Sequence, residues 1–198
     1  MYPFIETIRI EGGKIGNLPY HQQRLNRTMT HFWPEANVVD LKDALKDAPL
    51  TEEETKGRVV YDKDGVKDVS FAAYHPLNIH SLKLVACDNL DYSYKSADRS
   101  QLQKLKEQRG DCDEIIIVKN GLLTDTSYSN IALFDGENWY TPKHPLLKGT
   151  MRESLIDQGK LRECDLKPED LNRFLKVSLI NAMMPLGFLE VNIKDVVR

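Results

Sequence analysis

The chain has 198 residues, of which 41% are hydrophobic and 29% are charged, a composition typical of a globular protein with one domain or two small lobes. Lys and Arg number 27 against 30 Asp and Glu, which argues against a dedicated nucleic-acid-binding protein. No apolar run approaches the length of about 18 residues needed to span a membrane, and the N-terminus lacks the pattern of a signal peptide. Three scattered cysteines form no CxxC pair, so neither disulfides nor a zinc site is predicted, and a reducing, cytoplasmic setting is expected.

The first part of the chain predicts a hairpin followed by helices. Residues 4–10 alternate apolar and polar side chains like a half-buried strand, and Gly12-Gly13 predicts the hairpin turn. Helical spacing of apolar residues follows over residues 20–33, and a second helix is expected over residues 38–48.

Three short segments rich in β-branched and aromatic residues come next. They are residues 58–61, 69–74 and 82–86. Asp64-Gly65 is a turn signal between the first two, and we expect all three to form an antiparallel meander. Together with the preceding elements, the meander would complete a small α+β lobe over residues 1–85.

The second half also combines short strands with helices. One helix is expected from Ser96 to Lys106 and another from Gly149 to about Gln158. The strand signals of this half are residues 113–118, 122–124, 131–134, 139–141, 174–179 and 189–191. We expect residues 86–198 to form a larger second lobe, and the whole chain to be an α+β fold with mainly antiparallel pairing.

Lys95 is the first residue suited to chemistry. It lies in the segment Tyr92–Arg99, between a predicted strand and a predicted helix. A lysine amine forms Schiff bases when it is desolvated or close to another cation, and Arg99 would lie one helical turn further on. On the pattern alone, a surface lysine near a helix start is the more common case.

Three further segments carry polar groups that could bind a ligand. Asp125 lies in a polar cluster where a carboxylate could face a cationic heterocycle nitrogen, although an ordinary turn gives the same pattern. Gly149-Thr150 opens a predicted helix, which suits an anion but also fits a plain threonine N-cap. His21 and Arg24 share one helical face. The arginine could bind a phosphate, or both residues could lie on a solvent-exposed helix surface.

Other well-known catalytic patterns are missing from the sequence. The five histidines show no HxH or HExxH spacing, so no metal site is predicted. No Ser-His-Asp arrangement and no glycine-rich phosphate loop can be identified either.

In their order along the chain, these motifs resemble the class IV, or fold type IV, pyridoxal-phosphate enzymes, from Phe4 to about Gly187. This family contains branched-chain and D-amino-acid aminotransferases and 4-amino-4-deoxychorismate lyases. The segments similar to the family are Phe4–Arg9, His21–Leu25, Lys95 with Asp113–Ile115, Asp125, Ser129–Phe134 and Gly149–Arg152. Residues 180–186 resemble the lyase segment Cys-Asn-Ala-Leu-Met-Pro more than the Gly-Thr-Ala of the aminotransferases. The resemblance implies a two-lobed, D-amino-acid-aminotransferase-like α+β fold.

The resemblance also implies a role for each motif residue. Lys95 would hold pyridoxal 5'-phosphate as a Schiff base and later move protons at the substrate α carbon. Asp125 would keep the pyridine nitrogen protonated. The phosphate would be bound by Arg24, Gly149, Thr150 and Asn181. Arg58 would contact a carboxylate of the substrate.

The sequence departs from the family pattern at three places. The family usually has a strand and a loop before the segment at Phe4, so we expect an N-terminally shortened form. Asp125 replaces the usual glutamate and is one methylene shorter. Ser100 stands where aminotransferases have a tyrosine near the cofactor, and this difference argues against a standard aminotransferase.

The leading hypothesis is a lyase of the 4-amino-4-deoxychorismate lyase type, which releases pyruvate and p-aminobenzoate, a folate precursor. One alternative is an amino-acid aminotransferase on the same scaffold, and another is a non-catalytic member that serves as a binding module. We expect a small amino substrate and, by resemblance, a homodimer, with no nucleic-acid or membrane partner.

Overall fold

A computed structural model describes residues 3–198, which fold into two compact units. The first unit comprises residues 3–75 and 94–98, and the second comprises residues 76–93 and 99–198. The expected first lobe was residues 1–85, of which residues 1 and 2 lie outside the described residues. The division therefore falls earlier than expected, and a short segment around Lys95 returns to the first unit.

One antiparallel sheet and two helices build the first unit. In the sheet order β2-β1-β3-β4, the strands are β1 (Phe4–Glu11), β2 (Lys14–Ile15), β3 (Thr55–Asp62) and β4 (Gly65–Ala73). The helices are α1 (Leu18–Phe32) and α2 (Leu41–Ala44). The second helix is much shorter than the predicted segment 38–48, and it begins where the Asp40 side chain caps the backbone N–H groups of Lys42 and Asp43.

The core of the first unit lies between the sheet and α1. Phe4, Ile8 and Ile10 alternate along β1 and share its core-facing side. They belong to the same buried cluster as Leu25 and Met29 of α1. The strand and the helix predicted from apolar spacing are therefore the two layers of this core.

Two sheets and two α-helices build the second unit. The five-stranded sheet has the order β10-β9-β8-β11-β12, and the four-stranded sheet has the order β13-β5-β6-β7. Their strands are β5 (Leu82–Ala86), β6 (Glu114–Lys119), β7 (Leu122–Leu123), β8 (Asn130–Phe134), β9 (Trp139–Pro142), β10 (Arg162–Cys164), β11 (Lys176–Ile180), β12 (Glu190–Asn192) and β13 (Val196–Val197). The helices are α3 (Ser100–Lys106) and α4 (Thr150–Asp157), with short 3-10 turns at Glu107–Arg109, Pro168–Arg173 and Ile193–Asp195.

The expected meander is wrong at its third strand. β3 and β4 pair as predicted, but β5 pairs in parallel with β6 and with β13 in a different sheet. β6 is buried from Glu114 to Val118, a continuous burial that is typical of parallel strands. Since a parallel pair needs a long crossover, the chain between β5 and β6 includes both the Lys95 segment and α3.

Candidate functional site

A buried cluster of ionisable side chains joins β1 to α1 in the first unit. Glu6 is fully buried and lies on the same side of β1 as Phe4 and Ile8. Its Oε1 accepts a hydrogen bond from Arg24 Nε at 2.9 Å, and its Oε2 accepts one from Arg24 Nη2 at 2.6 Å. His21 Nδ1 lies 2.5 Å from the same Oε2. A carboxylate in an otherwise apolar position is thus matched by two basic groups from the buried face of α1.

The protonation states of this cluster follow from its contacts. Burial acts to raise the pKa of Glu6, but the charge of Arg24 and the hydrogen bonds from His21 and Arg24 outweigh it and hold the pKa at about 2. Burial also lowers the pKa of His21, and the nearby charges of Arg24 and Lys95 lower it further, against the opposing effect of Glu6. At neutral pH Glu6 is ionised and His21 is neutral. Because an ionised carboxylate only accepts hydrogen bonds, we assign the His21 proton to Nδ1, which donates to Glu6.

Arg24 is the predicted phosphate ligand of this unit. Its side chain is almost fully buried, and the two hydrogen bonds to Glu6 hold the guanidinium in one orientation. The helical spacing predicts one shared face for His21 and Arg24, and in the structure both side chains contact Glu6. The contact of Arg24 with a phosphate stays a prediction.

Lys95 lies beside β1, in the segment that returns to the first unit. Ile5 N donates to Lys95 O at 3.0 Å, and Phe4 and Ser96 form an antiparallel bridge. The Tyr94 ring packs against Phe4 with centroids 6.4 Å apart. Lys95 itself is half-buried, and the backbone N of Ser96 donates to Tyr94 O at 2.8 Å across it, so the chain makes a tight turn at this lysine. The sequence places Lys95 in the expected lobe 86–198, whereas the structure places it in the first unit.

Arg58, the predicted substrate residue, lies on β3. It pairs with Thr7, which shares one face of β1 with Ile5. The side chain of Arg58 is 40% exposed and forms a loose ion pair of 3.8 Å with Asp68. The register therefore places Arg58 on the face of the first sheet that Ile5 and Thr7 share.

Asp125 is a buried carboxylate in the second unit. Its Oδ1 accepts from Asn130 Nδ2 at 2.8 Å, and its Oδ2 accepts from the backbone N of Leu147 at 2.9 Å. Burial raises the pKa of Asp125 to about 6, against the lowering effect of these hydrogen bonds and of the Arg152 charge. A further cation beside this carboxylate would therefore stabilise its ionised form.

Gly149 and Thr150 form the turn that opens helix α4. Gly149 has φ −75° and ψ 143°, a conformation that any residue adopts. A side chain is excluded by space instead, because a Cβ on Gly149 would lie 1.9 Å from Asn130 Oδ1. Gly149 thus makes room for Asn130, and the N-terminus of α4 that it opens favours an anion through the helix dipole and the backbone N–H groups.

Asn181 follows β11 and shapes the turn after it. Its Oδ1 accepts hydrogen bonds from the backbone N of Met183 at 2.9 Å and of Met184 at 3.1 Å. The carbonyl oxygen thus holds the turn, so any contribution to a phosphate would come from the side-chain NH₂. Like that of Arg24, this contribution stays a prediction.

The described residues offer matching groups for each part of pyridoxal phosphate. Lys95 supplies an amine for the aldehyde, and buried Asp125 supplies a carboxylate that a protonated ring nitrogen would stabilise. The N-terminus of α4, at Gly149, suits the phosphate because the helix dipole favours an anion there. Each unit taken by itself therefore carries groups that match the cofactor, Lys95 in the first unit and Asp125 and Gly149 in the second.

Two negative findings apply to residues 3–198. No helix there is long and apolar enough to cross a membrane. Within the same residues, no cluster of three or more His, Cys, Asp or Glu side chains is placed to hold a metal ion.

Two residues with central contacts were missed as site residues by the sequence analysis. Glu6 carries a signal, because it is the one charged residue among the inward positions of an apolar alternation. Asn130 carries none beyond its place in a polar cluster, since its contacts with Leu147 and Gly149 join segments far apart in sequence.

Comparisons with known proteins show which family and which structures this chain is similar to. The model of the family "Amino-transferase class IV" matches residues 4–189. An uncharacterised protein of Haemophilus influenzae is 37% identical over 186 residues, covering 92% of this chain and 98% of that protein. A crystal structure from Haemophilus somnus, of a protein provisionally named a 4-amino-4-deoxychorismate lyase, is 35% identical with a TM-score of 0.88, covering 94% of this chain and 98% of that one. The pyridoxal-phosphate-bound form of a hypothetical aminotransferase from Mycobacterium tuberculosis has a TM-score of 0.79 at 17% identity, covering 96% of this chain and 80% of that one.

The chain belongs to the class IV aminotransferase family. It has the α+β fold of that family, with mixed sheets, and it is a pyridoxal-phosphate-dependent enzyme of this class. The family and the fold class expected from the sequence motifs are thus confirmed.

Replacing Glu6 by glutamine should destabilise the protein strongly. The change leaves the Arg24 charge buried without its carboxylate, and losing one partner of a buried ion pair costs about 3–5 kcal/mol in the free energy of unfolding. The measurement is urea unfolding at pH 7. Glu11→Gln in the same strand is the control, because the exposed Glu11–Arg9 pair should contribute less than about 1 kcal/mol. Equal losses of unfolding free energy in Glu6→Gln and Glu11→Gln would contradict the assigned role of Glu6.

Asp125 should give the cofactor-free protein a characteristic pH dependence. Because its pKa is raised to about 6, the folded state holds the proton more tightly than the unfolded chain. Protonated Asp125 therefore adds to the free energy of unfolding. The added stability is present below about pH 4 and is lost as the pH rises through about 6. Relative to Asp125→Asn, the wild type should lose about 3 kcal/mol of unfolding free energy between about pH 4 and pH 7. Urea unfolding across that range measures the difference. Parallel curves of unfolding free energy against pH for the two proteins would refute the raised pKa of Asp125.

Proposed function

We propose that the protein is a lyase that converts 4-amino-4-deoxychorismate to p-aminobenzoate and pyruvate. The observation that carries the proposal is the turn Asn181–Pro185, whose sequence is similar to that of the lyases of the family. Ser100, in place of the aminotransferase tyrosine, supports it. So does the 35% identity to the Haemophilus somnus protein that is provisionally given this activity.

The proposed reaction needs no oxidant and no second substrate. A proton leaves the ring carbon that bears the amino group, and the C–O bond to the enolpyruvyl group breaks. The ring becomes aromatic, and the released enol takes up a proton to give pyruvate. Bound pyridoxal phosphate supplies the electron sink that makes this proton acidic.

The residues of this chain would bind the cofactor and move the proton. The Lys95 amine would join the cofactor and then exchange the proton at the amino-bearing carbon of the substrate. Asp125 would hold a proton on the ring nitrogen, because a buried carboxylate favours the charged form of that nitrogen. The phosphate would be bound by Arg24, Gly149, Thr150 and Asn181.

Arg58 is proposed as the partner of a substrate carboxylate. It lies in the same unit as Lys95, on the strand next to β1, and its exposed side chain forms a loose ion pair with Asp68. A guanidinium binds a carboxylate through two parallel hydrogen bonds, which would fix the substrate relative to the Lys95 amine.

We also propose a cytoplasmic homodimer that serves folate biosynthesis. The dimer is proposed because class IV enzymes are typically homodimers. The folate role follows from the product p-aminobenzoate, which is a folate precursor. The three cysteines are all free, which supports a reducing compartment. No nucleic-acid or membrane partner is proposed.

The test is to incubate the purified protein with pyridoxal phosphate and 4-amino-4-deoxychorismate. We expect pyruvate and p-aminobenzoate in equal amounts, and no product from Lys95→Ala. Arg58→Gln should raise the KM about tenfold with little change in kcat, whereas the control Lys67→Gln, on the exposed strand β4 of the same sheet, should not.

Two outcomes would replace this proposal. Absence of pyruvate together with conversion of the bound aldehyde to the amine form by an amino acid would identify an aminotransferase. Absence of both reactions would contradict the lyase and the aminotransferase alike.

A further inference from the structure

The Asn130 side chain joins three segments of the second unit. It is almost fully buried, and its Nδ2 donates to Asp125 Oδ1 and to the backbone O of Leu147, both at 2.8 Å. The backbone N of Leu147 donates in turn to Asp125 Oδ2 at 2.9 Å. Asp125, Asn130 and Leu147 therefore form a closed ring of three hydrogen bonds, which fixes the carboxylate in one orientation.

The other end of the same amide lies against Gly149. A Cβ added to Gly149 would meet Asn130 Oδ1 at 1.9 Å and Cγ at 3.1 Å. The backbone of Gly149 has ordinary extended angles, so the demand for glycine comes from Asn130 alone. Since Nδ2 is held by Asp125 and Leu147, the amide cannot swing away to make room.

We infer that Asn130 is a positioning residue that sets the separation between the Asp125 carboxylate and the Gly149-Thr150 turn. This inference rests on the proposed use of these two groups for the ring nitrogen and the phosphate of pyridoxal phosphate. Both groups of the cofactor are attached to one rigid ring, so their protein partners have to stand at a fixed distance. A single planar side chain that contacts Asp125 with one end and Gly149 with the other provides this spacing.

The inference also accounts for the aspartate in place of the usual glutamate. A shorter carboxylate reaches less far, so its productive position depends on the groups that hold it. Asn130 and Leu147 each hold one of its two oxygens. Losing the Asn130 contact would free the carboxylate to rotate and would let the Gly149 turn move independently of it.

The test compares the affinities for two ligands, pyridoxal phosphate and pyridoxal, which lacks the phosphate. Both are titrated by visible absorbance, and the Kd for pyridoxal divided by the Kd for pyridoxal phosphate reports how well ring and phosphate are bound together. In Asn130→Ala the affinity for pyridoxal phosphate should fall about tenfold, comparable to the loss of an outer-shell contact at a metal site. This Kd ratio should fall by a similar factor, because the two groups can no longer be satisfied at once.

Gly149→Ala tests the same contact from its other side. The new methyl group displaces Asn130, so we expect the same fall in the Kd ratio together with a lower Tm without cofactor. The double variant Asn130→Ala/Gly149→Ala has room for the methyl group and should recover Tm toward that of Asn130→Ala, while its Kd ratio stays low. Asn138→Ala, in the turn between β8 and β9, is the matched control and should leave the Kd ratio unchanged.

The outcomes separate this inference from the proposed function. If the wild type binds pyridoxal phosphate through Lys95 but Asn130→Ala and Gly149→Ala keep the wild-type Kd ratio, the positioning role is wrong and the cofactor assignment stands. A lower Tm with an unchanged Kd ratio would reduce Asn130 to a structural residue and overturn the inference as well. If the wild type binds no pyridoxal phosphate, the proposed cofactor site itself fails.

Discussion

The buried carboxylate of Glu6 governs the first unit. It occupies a core position of β1, where an isolated charge would be strongly unfavourable, and it is tolerated because Arg24 and His21 reach it from α1. The same contacts fix the position of α1 on the sheet and the orientation of the Arg24 guanidinium. The preceding residue of β1, Ile5, donates to the backbone of Lys95, so this cluster lies beside the segment that carries the proposed catalytic amine.

The second unit holds a buried carboxylate in the opposite electrostatic state. Glu6 is held by a guanidinium and has its pKa lowered to about 2, whereas the hydrogen bonds to Asp125 come from neutral donors and its pKa is raised to about 6. The first carboxylate is therefore satisfied within the protein. The second would gain from a cationic ligand, and a protonated pyridine nitrogen has the required charge. This difference separates a structural carboxylate from one suited to bind the cofactor.

The sequence predicted most of the local structure, because it is set by nearby residues. The alternation in β1, the spacing in α1 and the Asp64-Gly65 turn between β3 and β4 all reappear in the fold. The parallel pairing of β5 was missed because it depends on a partner some 30 residues away, and the very short β10 and β13 carry no pattern. Arg24 and Asp125 were recognised as residues of interest from their local patterns and from the resemblance. The contact of Glu6 with Arg24 was not, because it joins residues 18 positions apart. Asn130 is only five residues from Asp125, but its contacts with Leu147 and Gly149 join distant segments and cannot be read from either one alone.

The most direct test of the account is to map the attachment site of pyridoxal phosphate. The protein is mixed with the cofactor, reduced with borohydride to make any link to the aldehyde permanent, and digested for mass spectrometry. The account predicts one pyridoxyl group per chain, on the peptide that contains Lys95, and none in Lys95→Ala. A modification spread over other lysines with Lys95 untouched, or no modification at all, would contradict it.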